Sequence, residues 1–280
     1  MTSTRVGSGA VVVEVDGSAE GLRVLDYACT EAIRGGAELV LVASRPVHDP
    51  HLAADSARQP WPPAERTGEF LRIAVAHVRR QVGRALKPSV VCREGTRVEV
   101  LSEAARDARL LVVRRPRHRG SERLLIAKGN LLLARRSSCP VVVVPGSWKL
   151  APAVRDVAVG IDGTSLSSAA VEYAFWAAAD RGGNLVAVHA APRHSSPSGA
   201  RARRAEFDGA VLDRSTDYPQ VQVTRYLTGR PVVAALVHKA QEVGLLVVGA
   251  HAGTASADDP VARRVLAVAD CPVAIVRRLR

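Results

Sequence analysis

Basic side chains crowd into one short stretch of the sequence. The segment 110–144 reads LLVVRRPRHRGSERLLIAKGNLLLARRSSCPVVVV. Its candidate anion-binding residues are Arg114, Arg115, Arg117, Arg119, Lys128, Gly129 and Asn130. Guanidinium groups bind phosphate and carboxylate oxygens through paired N–H donors. Two interpretations stay open here: an anion site formed by side chains, with residues 128–130 near the start of a helix, or a solvated basic loop.

An acidic residue follows the first apolar run of the chain and recurs later. Asp16-Gly17-Ser18 comes after the run 10–15, AVVVEV, and Asp162-Gly163 comes after VAVGI. Aspartate at a strand-to-helix turn can cap the helix. It can also face a ligand, because ligands of parallel α/β sheets bind beyond the carboxyl ends of the strands. Both roles stay open for Asp16, and capping is the expected role of Asp162.

Patterns of catalytic and metal sites are missing from the sequence. His48 and His51 lie in a proline-rich segment without a third ligand nearby, so we expect them to be surface residues. The four cysteines, at 29, 92, 139 and 271, lack C-x-x-C spacing. No nucleophile elbow, P-loop or H-E-x-x-H motif occurs. We therefore predict neither an enzyme nor a metal site.

Length and composition predict a soluble cytoplasmic protein of two domains. A chain of 280 residues is long for one small domain and suits two. Hydrophobic residues make up 47% of it, but no run approaches the roughly 18 apolar residues of a membrane span. The first ten residues, MTSTRVGSGA, do not resemble a secretory signal. We expect no contact with a membrane.

The net charge of +12 is concentrated in the first half. Residues 1–150 hold 24 lysines and arginines against 15 acidic residues, whereas residues 151–280 hold 15 against 12. Such asymmetry favours an anionic partner for the first half. Aromatic residues for base stacking are only 4%, so nucleic acid is an unlikely partner.

Apolar runs and helical patterns alternate through the first half. Strands are predicted at 10–15, 39–42, 90–91, 110–113 and 141–144. A first helix carries Leu22, Leu25, Cys29, Ala32 and Ile33 at inward spacing and should end at Gly35-Gly36. Further helices are predicted at 70–86, with Ile73, Val78 and Val82 inward, and at about 96–108. This alternation predicts parallel strands with helices on both faces of the sheet.

The same order of elements is written a second time. Asp16 and Leu39 recur 146 residues later, and Cys139-Pro140 recurs as Cys271-Pro272. The second copy is shorter by about a dozen residues between its second and third strands. The segment 147–153, SWKLAPA, breaks the pattern, so we place domain boundaries at 1–148 and 149–280.

Several segments of both copies resemble the universal stress protein (UspA) family. They are VVVEVDGS, GGAELVLV, REGTRVEVL and SSCPVVVVP in the first copy, and VAVGIDGT, GGNLVAVH, TGRPVVAAL, LLVVGA and DCPVAIV in the second. The resemblance implies two open parallel five-stranded sheets of order 3-2-1-4-5, of the adenine nucleotide alpha hydrolase-like type. The doubled arrangement resembles tandem-domain actinobacterial members.

The family's phosphate motif is G-x2-G-x9-G-[ST], and this sequence departs from it in the first copy. The matching positions are Arg114, Arg117, Ala127 and Lys128, so all three glycines are replaced. Glycine lets backbone amides approach phosphates. We therefore do not expect backbone amides to bind the phosphates of a nucleotide here. The resemblance places Asp16 and Gly17 where the family faces adenosine, so ATP or another adenine nucleotide stays an alternative ligand of this half.

The second copy departs further from the motif. Gly249 keeps the first glycine, but Ala252 replaces the second, and Asp258-Asp259-Pro260 stands where a helix should receive phosphate. Carboxylates at a helix start satisfy the helix dipole and repel an anion. We regard Asp162 and Gly249 as vestiges of a site.

Two functions are expected from this sequence. The first is a stress-response regulatory or interaction module with degenerate ATP-binding motifs in both domains. The second is a nucleotide- or phosphate-binding protein that uses the arginine-rich site of the first domain. Apolar fifth strands at 141–144 and 273–276 should pair antiparallel within the chain, as the resemblance implies, in an intramolecular pseudo-dimer. A homodimer is a further expectation, and the sequence names no protein partner.

Overall fold

The apolar runs form one mixed sheet in the computed structural model of the protein. The structure describes residues 9–18, 20–45, 64–115, 122–150, 154–162, 167–190, 197–250 and 259–277. Strands within these ranges are β1 (Val11–Glu14), β2 (Leu39–Arg45), β3 (Ser89–Glu94), β4 (Leu110–Arg115), β5 (Val141–Pro145), β6 (Val157–Gly160), β7 (Leu185–Ala190), β8 (Val223–Thr228), β9 (Leu245–Ala250) and β10 (Val273–Arg277).

Helices alternate with these strands, as the pattern predicts. Within the same ranges they are α1 (Gly21–Arg34), α2 (Ala64–Val82), α3 (Arg97–Ala104), α4 (Glu122–Arg136), α5 (Ser168–Arg181), α6 (Pro197–Ser215), α7 (Val232–Ala240) and α8 (Pro260–Val268). Each half of the chain is thus a β-α-β-α-β-α-β-α-β unit.

The strand order is β3-β2-β1-β4-β5-β10-β9-β6-β7-β8. Strands within each half are parallel and follow the predicted order 3-2-1-4-5. The halves join where β5 pairs antiparallel with β10, with Val143 opposite Val273 and Val141 opposite Ile275. The two expected sheets are therefore one continuous sheet, because each apolar edge covers the other.

Side-chain alternation along the strands divides the core into two layers. Val11 and Val13 of β1 face one layer with α1, α2, α5 and α6, whereas Val12 faces the other with α3, α4, α7 and α8. Successive side chains of a strand point to opposite faces. The fully buried valines of β1 and β5 follow from helices covering both faces of these strands.

Local signals explain most helix ends. Helix α1 ends at Arg34, and Gly36 follows with φ of +56°, a left-handed conformation that favours glycine. Helix α3 begins after Thr96, which exchanges hydrogen bonds with Glu99 in a capping box. It ends at Ala104, four residues before the predicted end.

Several details of the predicted helices are wrong. Helix α2 spans 64–82 and not 70–86. Ile73 and Ile33, expected to point inward, are each 47% exposed, whereas Val78 is fully buried as predicted. Both isoleucines lie at the margin of an apolar stripe, where the 3.6-residue period rotates a side chain toward solvent.

Arginines from each half hold a helix end of the other half. Arg115 of β4 donates to the carbonyl of Leu266 in α8 at 2.6 Å. Arg277 of β10 donates to the carbonyls of Arg135 and Ser137, at the end of α4, at 2.5 and 3.1 Å. The last carbonyls of a helix lack partners within it and carry partial negative charge. The two halves therefore complete each other's helices.

None of the helices among the described residues is both long enough and apolar enough to cross a membrane. The connection from β5 to β6 runs from Gly146 to Asp156 and contains the predicted boundary at 148 and 149. That boundary stays a prediction.

Candidate functional site

The candidate site of the first half lies at the carboxyl ends of β1 and β4. Asp16 and Gly17 follow β1, and Gly17 has φ of +74°. A Cβ atom on Gly17 would lie 2.3 Å from the Phe70 ring, so the ring of α2 packs directly on the turn. Only glycine fits both the backbone conformation and this close approach.

Asp16 holds the start of the following turn. Its Oδ1 accepts hydrogen bonds from the Ser18 amide at 3.0 Å and from the Ser18 hydroxyl at 2.8 Å. The Ser18 oxygen in turn accepts from the Gly21 amide at 3.0 Å, and the helix itself begins at Gly21. The capping role considered for Asp16 is thus present, carried to the helix through Ser18.

Arg114 closes the same site with two ion pairs. Its Nε lies 2.5 Å from Oδ2 of Asp16, an electrostatic contact without hydrogen-bond alignment. Its Nη1 donates to Oε2 of Glu20 at 3.0 Å. The guanidinium predicted to receive a phosphate therefore lies between two carboxylates. An incoming anion would have to compete with both of them.

A third ion pair of this region joins Arg97 to Glu14. Nε and Nη2 of Arg97 donate to the two oxygens of Glu14 at 2.5 and 2.7 Å, and Nη2 also donates to Oδ1 of Asn130 at 3.0 Å. Asn130 returns a bond to the Arg114 carbonyl at 3.3 Å. Burial by itself lowers the pKa of Arg97, but the Glu14 and Asp16 carboxylates together outweigh this effect, and the pKa is raised.

Helix α4 begins earlier than the motif of the family predicts. It starts at Glu122, so residues 127–130 lie in its interior and not near its start, which corrects the expected placement of Lys128, Gly129 and Asn130. Only the first four amides of a helix lack internal partners. Ala127 and Asn130 are buried, while Lys128 is exposed. The amides at 127 and 128 are thus committed to the helix.

The position of some residues singled out from the sequence stays a prediction. Arg117 and Arg119, His48 and His51 lie outside the described residues. Within the described part of the chain, no three histidine, cysteine or acidic side chains converge as a metal site would require.

The corresponding place in the second half is occupied by a helix cap. Oδ1 of Asp259 accepts from the amides of Val261 and Ala262 at 3.1 and 2.9 Å, and Pro260 forms the first helical position. Asp162 is exposed after β6, and Gly249 lies in β9 opposite Val276. Ala252 and Asp258 lie outside the described residues. A carboxylate therefore already satisfies the amides that an anion would use.

Sequence reasoning missed Glu14, Glu20 and Arg97 as members of this site. Glu14 carried a usable signal, because it is the one charged residue within the run AVVVEV. A carboxylate in a buried strand requires a cation or several donors. The signal does not say which arginine supplies the charge.

Three of the four cysteines are buried or partly buried. Burial raises the pKa of Cys29 and of Cys271 to about 12 and that of Cys139 to about 11. Cys139 and Cys271 precede β5 and β10, as the repeated Cys-Pro pair predicts. Cys92, on β3, is exposed.

The fold defines a class: a duplicated α/β protein with two parallel units joined edge to edge. Charged side chains of the chain itself pair with one another at the carboxyl ends of β1 and β4. The profile of the Universal stress protein family matches residues 8–145 and 153–277. The chain therefore belongs to the universal stress protein family, in two tandem copies.

Relatives of full length support this assignment. Universal stress protein Rv2005c of Mycobacterium tuberculosis is 28% identical over 295 aligned residues, covering 96% of this chain and 97% of the relative. A universal stress protein of Mycolicibacterium smegmatis is also 28% identical, covering 95% and 96%. A crystal structure of a universal stress protein from Archaeoglobus fulgidus shares the fold with a TM-score of 0.68 at 17% identity, covering 96% of both chains.

Proposed function

We propose that this protein is a stress-response regulatory or interaction module, not an enzyme, and that both of its ATP-binding motifs are degenerate. The observation that carries the proposal is the pairing of Arg114 with Asp16 and Glu20 at 2.5 and 3.0 Å. The resemblance places adenosine against Asp16, and here that carboxylate already has a cationic partner.

Backbone geometry supports the same conclusion. Phosphate cradles need amides that are free to point at the ligand. The amides at 127 and 128 lie inside α4, and those of Val261 and Ala262 are taken by Asp259. A nucleotide would gain few backbone bonds at either place.

We further propose that the antiparallel junction of β5 and β10 takes the place of a dimer contact between single-domain relatives. The chain would then be an intramolecular pseudo-dimer, divided into domains at 1–148 and 149–280, and working in the cytoplasm. Its partner would be another protein or a second copy of the chain, because its ligand-binding edges are closed by their own side chains.

One experiment tests the closed site. The protein is purified, extracted with acid and analysed for nucleotide by chromatography, and its melting temperature is measured with ATP and Mg²⁺, ADP or cyclic AMP at 5 mM each. We expect no stoichiometric nucleotide and no shift. A ligand at 100 times its Kd would stabilise the fold by about 2.7 kcal/mol, which is readily measured. A clear shift contradicts the proposal.

The second candidate function is a nucleotide or phosphate ligand held by side chains of the first half, through Arg117 and Lys128. The exposed position of Lys128 and the basic surplus of residues 1–150 favour it. If a melting shift occurs, Arg117→Ala should abolish it, whereas Asp162→Ala in the second half should leave it unchanged. The matched control is Arg72→Gln, which removes a positive charge from the exposed surface of α2.

A further inference from the structure

A cleft of about 530 Å³ lies between the two halves, away from the ion pairs of Asp16. Its walls come from α1, from residues 147–150 and 154–155 of the connection, from the end of α5 and from the turns before β9 and β10. Small-molecule sites usually measure 300–1,000 Å³ and favour the junctions of domains. The cleft has the size and the place of such a site.

Buried charges line one side of the cleft. Oε1 of Glu31 accepts from Nη1 of Arg34 and from Nη2 of Arg181, each at 2.7 Å. Glu31 belongs to α1 and Arg181 to α5, so this cluster spans the two halves. Two guanidinium groups share one carboxylate in a largely buried place, and the Asp180 carboxyl lies near enough to interact with both arginines.

The Tyr27 hydroxyl adds a donor to this wall. Tyr27 is only 4% exposed, and its oxygen accepts from Nη2 of Arg181 at 3.0 Å. Burial raises the pKa of Tyr27 well above its ordinary value, so the hydroxyl keeps its proton. Among the described residues no acceptor takes that proton. A buried donor of this kind calls for an acceptor, and a ligand oxygen in the cleft would supply it.

Trp148 forms an aromatic wall beside the cluster. Its ring meets Tyr27 edge-on, with centroids 5.4 Å apart and planes at 79°. Its amide donates to the Pro145 carbonyl at 2.9 Å, which fixes the turn that carries it. Trp148 is half-buried and lines the cleft.

Basic residues outnumber acidic ones around the cleft. Its charged lining consists of Arg34, Lys149, Arg155 and Arg181 against Glu31 and Asp270. A cleft of one dominant sign raises the local concentration of ligands of the opposite sign.

We propose that this cleft binds a small aromatic anion, with its ring against Trp148 and its carboxylate or phosphate group between Arg34, Lys149 and the Tyr27 hydroxyl. The ring contact supplies apolar burial, and the charged group supplies the acceptor that Tyr27 lacks. Because residues of both halves and of the connection line the cleft, the site exists only in the joined chain.

Two simple probes test this site with the full-length protein. Benzoate and phenyl phosphate represent the carboxylate and phosphate forms, and their Kd values are measured by saturation-transfer NMR and by Trp fluorescence. Benzyl alcohol has the ring without the charge, and inorganic phosphate has the charge without the ring. We expect at least one aromatic anion to bind at least tenfold more tightly than both.

Variants of the cleft sharpen the test. We expect Arg34→Gln, Lys149→Gln and Trp148→Leu each to weaken binding of the better probe by about tenfold, the equivalent of one lost charged or aromatic contact. Tyr27→Phe should weaken it while keeping the ring contact with Trp148. Arg72→Gln, remote on α2, should bind like the unmodified chain. Lys149 is exposed, so its replacement does not threaten the fold.

Three results would overturn the proposal. One is the absence of binding by both aromatic anions at 10 mM. Another is equal binding of benzyl alcohol, which would show that charge plays no part. The third is unchanged binding in both Lys149→Gln and Trp148→Leu, which would place the probes elsewhere on the molecule.

Discussion

Val143 of β5 lies directly opposite Val273 of β10, and each is only 2% exposed. The two strands run antiparallel here, although all neighbouring pairs of strands are parallel. Both faces of the junction are covered by helices, so it has the character of a core and not of a surface contact.

Lysine at position 143 should destabilise the whole chain. An ammonium group in this junction would have no partner and no water, and an uncompensated buried charge costs about 3–5 kcal/mol. Urea unfolding should show this loss for Val143→Lys. The control is Val90→Lys, on edge strand β3, where the valine is 46% exposed and a lysine reaches solvent. Equal losses for both variants would contradict a buried junction.

Each half expressed alone should associate with itself. Separation of residues 1–148 from 149–280 uncovers β5 and β10 as apolar edges, and such edges template further pairing. It also removes Arg115 from the end of α8 and Arg277 from the end of α4. Light scattering at high micromolar concentration should report dimers or aggregates. A stable monomer of either half would show that the junction does not need its partner.

Only one of the four thiols should react in the native protein. Thiolate is the reactive form, and burial keeps Cys29, Cys139 and Cys271 protonated at pH 8 through their raised pKa values of about 11 or 12. Cys92 is exposed on β3. Ellman's reagent should therefore titrate one thiol in buffer and four in guanidinium chloride. Cys92→Ser should leave none in buffer, and fast reaction of that variant would refute the assignment.

Asparagine at position 180 should stabilise the fold at neutral pH. Burial raises the pKa of the Asp180 carboxyl, and its Oδ2 has no hydrogen-bond partner among the described residues. The folded protein then holds this proton more tightly than the unfolded chain does. This contribution to stability therefore falls as pH rises from the ordinary pKa of aspartate through the raised value.

The measurement for position 180 is denaturant unfolding at pH 7 and at pH 3.5. The Asp180→Asn variant should be more stable than the unmodified chain at pH 7, and the difference should shrink at pH 3.5, where most of the Asp180 carboxyl is protonated. Asp213→Asn, exposed on α6, should show no such trend. A gain that is the same at both pH values would point to packing and not to charge.

The sequence pattern was sufficient to predict the strands, because a fully buried parallel strand appears in the sequence as an uninterrupted apolar run. Two such runs, Val11 to Val13 and Val141 to Val144, can be recognised without knowledge of the neighbouring strands. Helix margins were less certain, since Ile33 and Ile73 lie where the stripe meets solvent, and only the packed partner decides which way they turn.

The site could be predicted only in part. The sequence located Asp16 and Arg114 through their places at the carboxyl ends of two apolar runs, but it could not show that they meet. Their contact depends on the pairing of β1 with β4, which brings together residues almost a hundred positions apart. The start of α4 at Glu122 was also missed, because the family motif suggested a later start that these residues no longer require.

The junction of β5 with β10 also bears on symmetry. In a homodimer every residue on a two-fold axis meets its own copy, so each substitution is made twice. Here Val142 lies opposite Ala274, its counterpart in the second copy, so the two residues at the pseudo-two-fold axis already differ. Each copy of the repeat can therefore change without its twin, and the cleft of about 530 Å³ at the junction can take different residues from the two copies.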